Sequence, residues 1–238
     1  LAATATFHRA KTAYHLALLS TDLPAQLRQL RSVLHDLEGF EKEHQQWQML
    51  TLPAIALRID IHVRLSELDE AEAEQEILDA HAIGVNREPE IIATRRVIAD
   101  AMWEAASTHV NDEIASGLRF RALIHYDDWL NQVNEDELVA RLIVAQRNSE
   151  IEQGERVIAL LSDVVDDHGF VESAGKRGLL EANRLLARAY LQAKDFDRAL
   201  RFYSVLMSVG GDANPYLHDT QVLREIRIAE EKNDEEQF

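Results

Sequence analysis

The sequence predicts an all-α protein, a superhelical solenoid of about five antiparallel helix pairs with a C-terminal capping helix. Three observations point there. Apolar residues recur three and four positions apart almost everywhere, and strand-type alternation is hardly seen. Only 9 glycines and 4 prolines stand among 238 residues, while Ala, Leu, Glu, Arg and Gln, all good helix formers, dominate. Lastly, an apolar residue leading a new helical run recurs at Leu23, Leu68, Val110, Ile151 and Phe196, at successive spacings of 45, 42, 41 and 45 residues. Five helix pairs at a near-constant period stack as a solenoid. The alternative is an irregular bundle whose hairpins happen to match in length.

The expected helices are, within about 2–4 residues at each end, 5–20, 24–44, 48–65, 69–83, 89–107, 111–131, 135–147, 150–166, 171–193, 196–208 and 216–232. Asp22-Leu23-Pro24 places proline in a first turn, where its missing N–H does no harm. Asn86 ahead of Pro89 and Glu90 suits another helix start. Gly84, Gly169 and Gly210-Gly211 follow apolar runs, where a left-handed terminator is needed.

The clearest pair runs from Glu181 to Leu206. Ala182, Leu186, Ala189, Tyr190 and Ala193 fall on one face of its first helix, and Phe196, Ala199, Tyr203 and Leu206 on one face of its second. The short link makes the two antiparallel. Ala187 and Ala199 then permit a close approach of the axes, with aromatic rings around them. No Pro/Ser/Gly-rich linker interrupts the chain, so a single domain over 1–232 is expected, followed by a polar tail at 233–238 that frays.

The formal charge of −17 sets the protein against nucleic acid and anionic membrane surfaces, so no direct nucleic-acid contact is expected. No apolar run of about 18 residues occurs, so no membrane insertion is expected. The absence of cysteine excludes disulfides and thiolate metal sites but leaves the compartment open. A chain that begins with Leu1 reads as trimmed, either an exported product or a fragment. A cytoplasmic location is expected, with a periplasmic or exported one as the alternative.

The residues Leu186-Ala187, Tyr190, Phe196, Ala199 and Tyr203 resemble a tetratricopeptide repeat, and Leu68-Asp69-Glu70-Ala71 resembles the start of its second helix. Ile151, Gly154 and Ile158 match weakly, and Arg58-Ile59 and Leu142 depart from the first-helix signature. The longer period is similar to the helical sensor domain of the ATP-dependent, LuxR-like bacterial activators of the maltose-regulator type, and residues 157–200 have the look of that family's last units. HEAT and armadillo repeats share the period, but the four prolines mark no repeating kink. The resemblance implies a sensor or protein-interaction domain of a bacterial transcription regulator, flanked in the whole protein by nucleotide- and DNA-binding modules. Its partner would be a protein, a peptide or a small-molecule effector. A stand-alone scaffold docking peptides or proteins, in the bacterial envelope for example, is the alternative.

Carried onto this chain, the groove-lining positions of the family are Glu181, Arg184, Arg188 and Gln192 in the best-matched pair, Asp60 and Arg64 with His62 nearby in the second, and Gln146 and Arg147 in the fourth. Arginines gathered there would receive a carboxylate or phosphate bidentately. Arg184 and Arg188 are expected to be exposed, opposite the Leu186/Tyr190 stripe.

No catalytic residue, cofactor or metal site is expected. The ten histidines show no HxxxH or HExxH spacing, and no GxSxG or GxxxxGK[ST] occurs. The acid pairs, Asp127-Asp128 and Asp166-Asp167 among them, read as solvated helix faces. Trp47, Trp103 and Trp129 are candidate interface anchors, but Met102-Trp103 and Trp129-Leu130 sit in apolar rhythm, which favours the core.

Overall fold

The computed structural model describes residues 2–85, 87–133, 137–166, 168–209, 211 and 214–236, with the side chains of 168 and 236 excepted. Among these residues there are twelve helices and no strand. The chain divides into two compact units, Leu1–Gln132 and Val133–Phe238. No helix is long and apolar enough to cross a membrane among the described residues.

The first unit holds three helix pairs: α1 (Ala2–Leu18) with α2 (Leu23–Leu37), α4 (Gln48–Arg64) with α5 (Leu68–His81), and α6 (Pro89–Thr108) with α7 (Asp112–Leu130). A four-residue helix, α3 (Phe40–Glu43), links the first two pairs. Helices pack on their partners and pairs on the next pair, which is the stacking of a solenoid. The second unit holds α8 (Glu137–Glu150) with α9 (Gly154–Leu161), α10 (His168–Gln192) with α11 (Phe196–Ser208), and a last single helix, α12 (Thr220–Glu236). The five pairs thus fall where the hinge spacing places them.

A backbone turn shows the repeat more directly than any side chain. Ser66, Glu152 and Lys194 all have positive φ, at 61°, 62° and 60°. Each stands two residues before a second helix, at Leu68, Gly154 and Phe196. Ser66 N–H donates to the Val63 carbonyl at 3.0 Å and Glu67 N–H to His62 at 2.9 Å. Glu152 and Gln153 donate in the same way to Ser149 and Asn148, and Lys194 and Asp195 to Leu191 and Tyr190. This is a Schellman closure, which satisfies the last carbonyls of the first helix and turns the chain back. Pairs two, four and five share it.

The helices bury what their spacing dictates. On α1, Ala3, Phe7, Ala10, Tyr14 and Ala17 face inward and pack on Leu30, Val33 and Leu37 of α2. In the fifth pair Ala187 and Ala199 are both fully buried, with Tyr203 and Leu206 beside them. Tyr190 stacks flat on Phe202, centroids 5.6 Å apart and planes within 3°. Trp103 and Trp129 lie in the core, whereas Trp47 is 46% exposed. Ala193, expected on the buried face, is exposed because the helix ends at Gln192 before it.

Several boundaries differ from expectation for local reasons. The expected helix 24–44 is broken at Gly39, whose φ of 71° ends α2 and starts α3. Gly169 does not end a helix but lies in the first turn of α10. That helix breaks instead at Gly175, where φ 67° and ψ 179° put the backbone in a region open essentially to glycine alone. The tail expected to fray is helical as far as Glu236. Pro24 and Pro89 stand in first turns as expected; Asn86, Asp167 and Gly210 lie outside the described residues.

Arginines join the pairs of the first unit. Arg58 of α4, 4% exposed, donates from Nε and Nη2 to Glu74 of α5 at 3.0 and 2.6 Å. Its Nη1 donates to Glu41 of α3 at 2.7 Å and to the Leu37 carbonyl that ends α2 at 2.9 Å. Burial pushes the Glu41 carboxyl up, but its own backbone N–H and the Arg58 guanidinium outweigh that and hold it below the usual carboxylate range. Arg95 of α6 binds Asp79 of α5 and Asp128 of α7, and Arg121 of α7 binds Glu72 and Asp69 of α5. His125 shares Glu72 through Nε2 at 2.9 Å, leaving its Nδ1 buried without a partner.

Two outcomes are expected. Lys194→Gly relieves a left-handed residue, and the gain in urea unfolding should be roughly 0.5–1 kcal/mol; a loss would mean the Lys194 side chain supports the turn. Arg58→Met should lose about 3–5 kcal/mol at neutral pH by leaving Glu41 buried without its cation. Because the folded pKa of Glu41 lies below its unfolded one, it contributes stability above about pH 4.3, which is lost as pH falls through the folded value. In the variant the burial that raises Glu41 is no longer opposed by the guanidinium. The melting temperature should therefore rise from pH 7 to 5 instead of staying level.

Candidate functional site

In each unit a cleft is lined mainly by first helices of the pairs. In the first unit α1, α4 and α6 enclose a cleft of about 360 Å³. Its floor is apolar, formed by Pro53, Ala56 and Leu57 of α4 with Ile91 and Val97 of α6. Lys11 and His15 stand on the α1 wall, and Glu88 and Glu90 at the start of α6. The local sequence explains the placement. Pro89 opens α6, so its flanking acids sit at a helix N-terminus, where negative charge is favoured. The half-buried Ala56 keeps the floor low.

Asp60, an expected groove residue, lines this cleft. It is not free. Arg64 donates to it from Nε at 2.8 Å, and the Tyr14 hydroxyl donates to the same oxygen. Arg64 also donates to the Tyr14 oxygen at 3.0 Å. Burial and the Asp60 carboxylate push the Tyr14 hydroxyl up to about 12. Nearby, His62 meets Glu67 at 2.9 Å.

In the second unit a cleft of about 460 Å³ lies between α8 and α10, lined by Leu142, Gln146, Arg177, Gly178, Glu181 and Tyr216. Gly178 makes the space: an added Cβ would lie 2.5 Å from the Ala174 Cβ and 3.4 Å from Leu142. Glu181 accepts from Arg184 Nε at 2.9 Å and Nη2 at 2.6 Å, and from the Tyr216 hydroxyl. Burial raises the Glu181 carboxyl, but Arg184, Tyr216 and Gln146 outweigh it and hold it below its ordinary range. Its hydrogen bond to Glu181 holds the Arg184 guanidinium above its ordinary value. Burial and Glu181 push Tyr216 up to about 12.

Of the eight expected groove residues, then, Asp60 with Arg64 and Gln146 with Glu181 and Arg184 are brought together. The rest are apart. Arg147 pairs with Glu150 on its own helix at 3.0 Å, and Gln192 is exposed at the end of α10. Arg188 faces Glu225 of α12 at 3.9 Å, beside the Tyr203 hydroxyl, which donates to the same carboxylate at 2.8 Å. Arg184 and Arg188 are only 24% and 31% exposed at their side chains, not the open surface expected, because the turn before α12 and α12 itself supply partners for them. That turn is held by buried Asn214, which donates to the Leu206 and Val209 carbonyls. Of the first-unit cleft, sequence reasoning found Asp60 on α4 but not the α1 and α6 walls, because α1 and the start of α6 carry no repeat signature. Among the described residues no group of three or more His, Asp or Glu is placed to hold a metal ion.

No family model and no curated protein matches the chain. Among solved structures it is similar to a thermophilic TPR protein of Thermus thermophilus, with 16% identity over 92% of this chain and 98% of that one and a TM-score of 0.41. A likeness of that size does not separate a shared fold from shared helical content, and the architecture stands on the helix pairs themselves.

Arg184→Ala should cost about 1–3 kcal/mol in urea unfolding, because it leaves Glu181 half-buried with only neutral donors. A change under about 0.5 kcal/mol, the range of ordinary surface substitutions, would show that the pair does not hold this cleft together.

Proposed function

We propose that this chain is a non-catalytic binding module that docks a segment of a partner protein in the α1–α4–α6 cleft. The observation that carries the reading is the cleft itself, an apolar floor between walls of opposite charge on stacked helix pairs. Apolar grooves between helices receive side chains of a docked segment, with polar groups at the rim fixing orientation. The non-catalytic reading draws support from the buried acids. Glu41, Glu72 and Glu181 are all held below their ordinary range by arginine partners, the reverse of what a general acid needs.

On the resemblance carried by residues 157–200, docking would be the signal that a bacterial transcription regulator passes on. A scaffold in the bacterial envelope would use the same cleft. The volume of about 360 Å³ favours a second occupant, a small apolar effector, since it falls within the size of small-molecule sites.

Ala56→Phe places a ring in the cleft from the α4 side of its floor, and Val97→Phe does so from the α6 side. Peptides selected from a random library on the purified protein should lose at least about tenfold in affinity, about 1.4 kcal/mol, in both variants. Unchanged affinity in variants whose melting curves match the wild type would place docking elsewhere. Metabolites that raise the wild-type melting temperature but not that of the variants would favour the effector.

A further inference from the structure

Resting on the cleft as the docking surface, we propose that the segment it receives carries a lysine or arginine beside an apolar residue, with the cation lying against Glu88 and Glu90. The floor of Pro53, Leu57 and Ile91 takes the apolar side chain. The acids at the rim select its neighbour. The third carboxylate of the cleft, Asp60, is already held by Arg64. Glu88 and Glu90 are exposed, and among the described residues neither forms an ion pair.

A purely apolar segment would cover these two carboxylates and strip their water without replacing it, which opposes binding. An acidic segment would meet them and the −17 charge of the whole chain. A cation turns the same rim into charge-assisted hydrogen bonds. Lys11 and His15 on the opposite wall add direction, because a cation placed there meets Lys11. The bound segment therefore crosses the cleft one way, its basic end towards α6 and its other end towards α1.

The test uses three labelled peptides of one apolar sequence, differing only in a Lys, Gln or Glu beside the central leucine, with binding read by fluorescence anisotropy. The lysine peptide should bind at least about tenfold tighter than the glutamine one, and the advantage should shrink as salt rises. Glu88→Gln with Glu90→Gln, on exposed positions, should erase that advantage while leaving the glutamine peptide's affinity in place. Equal binding of the lysine and glutamine peptides, lost in Ala56→Phe, would overturn this inference and leave the docking cleft standing. Preference for the glutamate peptide would also overturn it. A lysine advantage that persists in the double variant would overturn it too, by placing the cation elsewhere. Failure of all three peptides to bind would count against the cleft reading itself.

Discussion

One buried guanidinium, that of Arg58, holds together the end of α2, α3, α4 and α5. Its environment explains how a chain so rich in acid folds as stacked pairs. Two carboxylates and a helix-terminal carbonyl converge where the first pair meets the second, and each would be costly to bury alone. Given one planar cation, all three are satisfied and the helices are fixed in register. The motif recurs in weaker form at the next junction, where Arg95 reaches both Asp79 and Asp128 and Arg121 reaches Asp69 and Glu72. Glu41 and Glu74 are therefore internal joints of the unit, while Asp69 and Asp128 keep a solvent-facing side.

How much of this was legible depends on the kind of signal. The second helices start at or within three residues of Leu23, Leu68, Val110, Ile151 and Phe196, although only Phe196 is buried and Leu23 and Val110 face solvent, so the period and not the burial of the hinge residue carried the signal. The burial of Ala187 and Ala199 was readable from the helical spacing of the apolar residues around them. The turns were less readable. Three of them use Ser66, Glu152 and Lys194 in a left-handed conformation that composition assigns to glycine; Gly84 is left-handed after α5 as expected, while Gly39 and Gly175 break runs whose periodicity continues through them. The ion joints were invisible because spacing along one helix says nothing of which carboxylate on another helix faces it. That is also why Arg184 looked like open surface: Tyr216, which shares Glu181 with it, comes from a turn far along the chain.

The two first-helix surfaces show how one backbone plan yields different chemistry. In the α8–α10 cleft the charges of Glu181 and Arg184 neutralise each other, and the exposed Arg177 is the charge left at the rim. In the α1–α4–α6 cleft the Asp60 charge is likewise taken up, but the rim acids beside Pro89 are not. First helices of successive pairs line the cleft in both cases. The two clefts differ in the sign of the charge that the chain leaves unanswered, cationic at Arg177 and anionic at Glu88 and Glu90.

The break in α10 has a consequence for how this sequence can drift. Gly175 permits a backbone angle that other residues resist, and the turn it makes folds Ala174 back onto Gly178, where even a methyl group would collide. The two positions are thus bound into one inheritance. A substitution at 175 that straightened the helix would remove the reason for a glycine at 178, and a side chain at 178 would force open the bend that 175 provides. Neighbouring Lys176 and Arg177 are open to change, so variation in this stretch should arrive in the middle of the motif while its two ends change together or not at all.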